Sequence, residues 1–304
     1  MRLFVFGLGY VGRAFAERLR PQGWTLAASA RGAEEAERLR AVGVEPIALA
    51  DPEALVAALR DAQAILITAP PDAEGCPGLR ALVPALARAN AFPDWIGYLS
   101  TTGVYGDRHG GWVTEQSRLA AQSLEGARRV GAERDWLQVG RGMGLTVTVF
   151  RLPGIYGPGR STLDRLRAGE ARRIVSPGQV FSRIHVDDVA VGLEASRARP
   201  RAGGIYNLCD DEPCPNSAVI AYAADLLGLP LPPEIPLAEA NLSPTAMRFY
   251  VESKRVSNAR AKAELSWRPA YPTYREGLAA IWAANAQPSP SSSGQPQADP
   301  RDSN

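Results

Sequence analysis

The first twelve residues, Met1-Arg-Leu-Phe-Val-Phe-Gly-Leu-Gly-Tyr-Val-Gly12, constrain the fold more than any other stretch. Residues 3–6 form an unbroken apolar run of the kind that makes a short strand buried on both faces. An amphipathic run containing Ala14, Phe15, Arg18 and Leu19 follows at helical spacing. Between them Gly7, Gly9 and Gly12 stand in the spacing G-x-G-x-x-G. In a strand–turn–helix the first glycine permits a tight turn, the second lets a pyrophosphate approach the backbone, and the third lets helix pack closely on strand. The helix beginning there, through Tyr10, Val11 and Gly12, aims unpaired N–H groups and a partial positive charge at that phosphate site.

Strand and helix patterns then alternate. Residues 24–28 read as a second strand after the Pro21-Gln-Gly23 stop, residues 33–42 as a charged helix, and 44–49 as a third strand. Residues 52–60 and 79–90 read as helices, the second carrying Pro84 inside it, and 64–68 and 95–99 as further strands. Such alternation predicts a doubly wound parallel sheet with helices on both faces. The fourth strand leaves the sheet at Ala69-Pro70-Pro71, the carboxyl edge at which ligands bind in such sheets.

A site selective for NAD carries an acid about 20 residues beyond the glycines, on the ribose 2′-hydroxyl. Here that region is Ala28-Ser29-Ala30-Arg31, and no acid precedes Glu34. Ser29 and Arg31 suit the 2′-phosphate of NADP instead, although a solvent-facing arginine gives the same pattern. NAD is the less favoured cofactor on this reading. Asp51 either touches the adenine or simply starts a helix before Pro52.

Other function classes find little support. A net charge of +2 gives no argument for nucleic acid or membrane binding. No window reaches the ~20 apolar residues of a membrane span, and glycines interrupt the apolar start, so no signal peptide is expected and the chain reads as cytoplasmic. Cys76, Cys209 and Cys214, with only His109 and His185, have no metal-ligand spacing, and no metal is expected.

Downstream of the fifth strand, Ser100-Thr101-Thr102-Gly103-Val104-Tyr105-Gly106 resembles the Ser-Ser-x-x-Val-Tyr-Gly segment of the extended short-chain dehydrogenases/reductases, the nucleotide-sugar epimerases and dehydratases. Arg151-Leu-Pro153-Gly-Ile-Tyr-Gly-Pro-Gly159, Arg183-Ile-His-Val-Asp-Asp-Val189 and Tyr206-Asn-Leu208 resemble three later segments of that family. The resemblance implies a Rossmann-type α/β fold, with an NADP-binding domain from residues 1–155 plus 178–200. A smaller substrate-binding lobe from 156–177 plus 201–283 would cover it. It implies cofactor contacts at Gly7, Gly9, Tyr10, Val11, Gly12, Ala69, Pro70, Thr101 and Pro153, a small-molecule substrate such as a nucleotide sugar, and compatibility with a homodimer.

The departure from the family lies at its Tyr-x-x-x-Lys pair. No Tyr or Lys occurs between Gly106 and Ile155. Matching Arg128-Arg-Val-Gly-Ala-Glu133 to the family's Ser-Lys-x-x-Ala-Glu puts Arg129 at the lysine and Glu125 at the tyrosine. Arg129 then either holds the ribose or pairs with Glu125, and Glu125 is either an acid/base or half of a surface ion pair. Thr101 takes the place of the family's catalytic Ser/Thr, and Tyr105 is either a substitute proton donor or a pocket wall. Tyr250-Val-Glu-Ser-Lys254 has the right spacing but lies some 150 residues too late. In the lobe, Arg160 and Arg183 offer guanidinium groups to a substrate phosphate, or are surface. Residues 286–304, rich in Ser, Pro and Gln, are expected to be disordered. Two functions remain open: an NADP-dependent oxidoreductase or epimerase, and a sensor that binds the dinucleotide without turnover.

Overall fold

The computed structural model describes residues 1–286, so the tail expected to be disordered lies, but for Ala286, outside the described residues. Seven strands form one sheet: β1 (Arg2–Phe6), β2 (Thr25–Ala30), β3 (Glu45–Ala48), β4 (Ala64–Ile67), β5 (Trp95–Thr101), β6 (Val147–Leu152) and β7 (Gly204–Asn207). They run in the order β3-β2-β1-β4-β5-β6-β7, parallel at every pairing. All four residues of β4 and all six of β6 are buried, because helices cover both faces of the sheet.

The helices are α1 (Tyr10–Leu19), α2 (Ala33–Ala41), α3 (Pro52–Arg60), α4 (Pro77–Ala89), α5 (Leu124–Met143), α6 (Thr162–Arg167), α7 (Val186–Ala198), α8 (Asn216–Leu227), α9 (Pro244–Val251), α10 (Ala259–Leu265) and α11 (Tyr274–Ala286). Phe15 and Leu19 of α1, Leu39 of α2 and Val189 and Leu193 of α7 join one core cluster on the sheet. Leu55 and Leu59 of α3, Leu82 and Leu86 of α4 and Trp136 of α5 join the other. The first four crossovers fall within a residue or two of their sequence patterns, since Gly23 and Asn90 stop helices in left-handed conformations and Asp51 caps the start of α3.

The lobe is a separate core in which α6, α8 and α11 bring together Leu163, Val219, Ile220, Leu278 and Ile281. Its expected second stretch needs correcting. Gly204–Asn207, assigned to the lobe, is the edge strand of the main sheet, where Tyr206 stacks on Phe150 at 6.3 Å. Ala261, Leu265 and Trp267 also pack into the α1/α7 core, so that part of the carboxyl-terminal region belongs with the sheet. Strand order reverses between β1 and β4, and the crevice beyond their carboxyl ends is where such a sheet binds ligands.

Candidate functional site

The three glycines meet three different environments. Gly7 has φ +86°, a backbone that only glycine adopts readily, and closes the turn by accepting the Gly9 N–H at 2.8 Å. A Cβ on Gly9 would meet nothing within 4 Å, so the space beside it is open. A Cβ on Gly12 would stand 3.2 Å from Val5 Cγ1, which fixes how closely α1 lies on β1. Gly9 has no side chain to cap α1, so the first-turn N–H groups at Tyr10, Val11 and Gly12 face that space. Ala69 buttresses the turn, since its Cβ lies 3.3 Å from where a Gly7 Cβ would be. The Thr68 hydroxyl donates to the Gly7 carbonyl. Pro70 follows, exposed at the sheet's edge.

Ser29 plays another part than the one expected. It is buried, and its Oγ accepts the Gly7 N–H at 3.0 Å, so it holds the glycine turn from beneath rather than facing a phosphate outside. Arg31 is exposed at 84% of its side chain, and its backbone N–H and Nε both donate to Glu35. That backbone N–H, ahead of the guanidinium itself, holds the Glu35 carboxyl below its ordinary range. A pocket of about 150 Å³ opens here, lined by Leu8, Arg13, Arg31, Glu35, Arg38 and Leu39. Three arginines thus share this lining with one carboxylate beside the glycine loop, and Arg38 also pairs with Glu34, Nη2 to Oε1 3.5 Å. Arg13 and Arg38 escape a sequence reading because each looks like the solvated face of an amphipathic helix. Asp51 spends Oδ1 on the N–H groups of Glu53 and Ala54, the helix-start alternative.

At the other end of the crevice, Thr101 closes β5 and its Oγ1 accepts the Gly103 N–H at 3.1 Å. Arg129 lies on the face of α5 turned to β5. Its guanidinium donates to the Leu99 carbonyl and, at 3.3 Å, to the Tyr98 hydroxyl. Glu125, one turn earlier, is exposed in the first turn of α5. Of the two, Arg129 is the one that contacts the strand carrying Thr101. Pro153 continues β6 into the lobe, half-buried.

Tyr105 is corrected from proton donor to buried network member. It is fully buried, donates to Asn207 Oδ1 at 2.7 Å and accepts from Arg151 Nη1 at 3.0 Å. Burial, against the pull of Arg151, pushes its phenol up to about 12. Arg151 also grips Glu133 of α5, with Nη2 2.7 Å from Oε2 and Nε 3.1 Å from Oε1, and Ser100 donates to the same carboxylate. The sequence reading used Arg151 only as a motif landmark and missed this buried pair.

Arg160 and Arg183 do not form a pair. Arg183 is buried, donates to Cys214 Sγ at 2.8 Å and lies over the Tyr274 ring, so it is lobe core rather than an open anion site. Arg160 is exposed and lies over Tyr10, in the glycine loop. His185 accepts the Asp187 N–H through Nδ1 and caps α7, seating its loop, while His109 is exposed beside Asp107. Helix α9 ends at Val251, before Lys254, so Tyr250 and Lys254 share no helical face. Among the described residues no group of three His, Cys, Asp or Glu could hold a metal ion, and no helix is long and apolar enough to cross a membrane.

The family model of NAD-dependent epimerases/dehydratases matches residues 3–209. Protein YeeZ of Escherichia coli (strain K12) is 30% identical over 244 residues, covering 76% of this chain and 85% of its own. The solved structure of a functionally unknown conserved protein from Silicibacter pomeroyi DSS is 47% identical. It superposes with a TM-score of 0.85 over 94% of this chain and 99% of its own. The dTDP-glucose 4,6-dehydratase of Bacillus anthracis, solved in complex with NAD, shares the fold at 18% identity, with a TM-score of 0.76 over 94% and 97% of the two chains.

Proposed function

The chain belongs to the NAD-dependent epimerase/dehydratase family, and from that premise we propose an NADP-dependent oxidoreductase or epimerase-like activity on a nucleotide-linked or phosphorylated sugar. The observation that carries the cofactor choice is the pocket beyond β2, where Arg13, Arg31 and Arg38 surround a space adjoining the glycine loop. Guanidinium forks suit a 2′-phosphate, and three of them outnumber the Glu35 carboxylate in the same lining and the Glu34 carboxylate paired with Arg38. The glycine turn and the first-turn N–H groups of α1 would take the pyrophosphate, and Arg129 the nicotinamide ribose. When bound, the nicotinamide supplies or accepts a hydride. Thr101 holds the reacting oxygen, and Glu125 carries the proton. The sugar assignment draws its support from family membership alone.

The test is a parallel thermal titration with NADPH and NADH. A ligand at 100 times its Kd adds about 2.7 kcal/mol, which a melting curve resolves. NADPH is expected to stabilise far more than NADH, and Arg31→Ala to abolish the difference. Equal stabilisation by both, or a preference that survives the substitution, rejects the NADP reading. Hydride exchange between a labelled sugar nucleotide and the cofactor then tests turnover.

A second reading has its own observation. The two phenols beside the crevice, Tyr98 and Tyr105, are fully buried and held protonated by burial, and α5 offers no tyrosine or lysine. A dinucleotide sensor without turnover needs neither. Tight NADPH binding with no exchange on any sugar nucleotide, and no effect of Thr101→Ala, selects it.

A further inference from the structure

The turn between residues 157 and 160, at the entrance to the lobe, is fastened to the glycine loop. Gly157 and Arg160 exchange backbone hydrogen bonds, Arg160 N–H to Gly157 O at 3.0 Å and Gly157 N–H to Arg160 O at 3.3 Å. The Tyr10 hydroxyl donates to the Pro158 carbonyl at 3.1 Å. Gly157 is pressed against the same residue: a Cβ there would lie 2.4 Å from the Tyr10 hydroxyl oxygen and 2.7 Å from Val186 Cγ1. Only glycine lets the turn sit so close. Tyr10 is the first residue of α1, and its own N–H is one of those facing the open space beside Gly9.

On this platform lies the Arg160 side chain, its guanidinium carbon 5.7 Å from the centre of the Tyr10 ring. The residue is exposed, and among the described residues it makes no ion pair. Two acids stand near Tyr10, and neither forms an ion pair with Arg160 among the described residues. Asp164 accepts from the N–H and the hydroxyl of Ser161, and the Asp187 side chain is 60% exposed. A planar fork on an aromatic face, with its charge uncommitted, stands beside backbone N–H groups aimed at a phosphate.

We propose that Arg160 binds the dinucleotide pyrophosphate across the glycine loop, and that this contact couples cofactor binding to the lobe. The inference rests on the dinucleotide reading above, and it moves Arg160 from the substrate to the cofactor. The coupling follows from chain connectivity. Ser161, the next residue, caps α6 with a reciprocal Ser161–Asp164 pair, so the first helix of the lobe starts where the arginine is anchored. Pyrophosphate held from both sides fixes the turn, and the turn fixes α6.

The test compares wild type, Arg160→Ala and Arg160→Lys by calorimetry against three probes: NADPH, ADP-ribose and 2′-AMP. ADP-ribose keeps the pyrophosphate without the nicotinamide, and 2′-AMP keeps only the adenosine end. Arg160→Ala is expected to weaken NADPH and ADP-ribose about tenfold, or ~1.4 kcal/mol, and to leave 2′-AMP within a factor of two. Arg160→Lys recovers part of the loss, since it restores the charge but not the fork. The unliganded melting temperature stays at the wild-type value, because the side chain is exposed. Unchanged NADPH and ADP-ribose affinities in Arg160→Ala overturn the proposal, and so does a loss shared equally by 2′-AMP. If wild type binds NADPH and ADP-ribose and only the variant is unaffected, the dinucleotide reading survives without this contact. If wild type binds none of the probes, the dinucleotide reading falls and takes the proposal with it.

Discussion

Replacing Arg151 by Met should destabilise the protein by about 3–5 kcal/mol, the usual cost of leaving one member of a buried ion pair without its partner. Both side chains of the Arg151–Glu133 pair are only 3% exposed, so water cannot take the place of the lost guanidinium. The substitution removes all three Arg151–Glu133 hydrogen bonds and the Nη1 bonds to the Tyr105 hydroxyl and the Glu115 carbonyl. Glu133 would retain only the Ser100 hydroxyl. Removing the charge as well, in Arg151→Met/Glu133→Leu, should recover most of the loss, because an apolar pair of similar volume has no ion to desolvate. A double-mutant cycle by urea denaturation measures this: with each single variant costing about 3–5 kcal/mol and the double about 1 kcal/mol, the two sites should be coupled by at least about 5 kcal/mol. With total stabilities of about 5–15 kcal/mol, the single variant should lose a large fraction of its folding free energy. An Arg151→Met cost below about 1 kcal/mol, or a double variant that loses the sum of the singles, would refute the assignment of a buried, mutually dependent pair.

Asp210 gives a pH test. Burial pushes its carboxyl up to about 8, against Arg183 and with Asp211 and Glu212 adding repulsion. The folded state thus holds a proton that the unfolded state releases near 4, so this stabilisation is complete below that pH and is lost as pH rises through 8. Relative to Asp210→Asn, wild type should lose stability between pH 5 and 8, by at most about 1.4 kcal/mol per unit; parallel stability profiles would sink the idea. At the glycine loop, Gly12→Ala should cost about 1–3 kcal/mol from its contact with Val5. Gly9→Ala, whose Cβ meets no protein atom, should keep the wild-type melting temperature yet bind NADPH at least tenfold more weakly, and normal binding would contradict the placement of the pyrophosphate.

The glycine loop and the first five strands were legible because their signals are local. A tight turn, a helix start at Asp51-Pro52 and a two-faced apolar strand each fit within about ten residues of sequence. What escaped depends on residues far apart in the chain. Ser29 is drawn inward by the N–H of Gly7, and Tyr105 by Asn207 on a strand a hundred positions later. Arg183 faces Cys214 for the same kind of reason, and nothing in either local pattern distinguishes a buried guanidinium from an exposed one. Gly204–Asn207 resembled a lobe strand by motif, but an edge position beside β6 is a property of the assembled sheet.

The face of α5 turned to the sheet decides what chemistry the fold can support. Residues 125, 129 and 133 recur at i, i+4 and i+8. Glu133 is spent on Arg151 and Ser100, and Arg129 gives Nη1 to the Leu99 carbonyl and Tyr98. A lysine at position 129 could lose its proton or tune a neighbouring phenol, whereas a guanidinium keeps its charge and serves only to hold. Under the enzyme reading, proton transfer then falls to a carboxylate at a helix start. Under that reading the same carboxyl takes the proton from a substrate hydroxyl in oxidation and returns it to the carbonyl oxygen in reduction. Glu125→Gln should therefore slow hydride exchange with a sugar nucleotide by the same factor in both directions, and a variant that keeps the wild-type exchange rate would reject the proton role of Glu125.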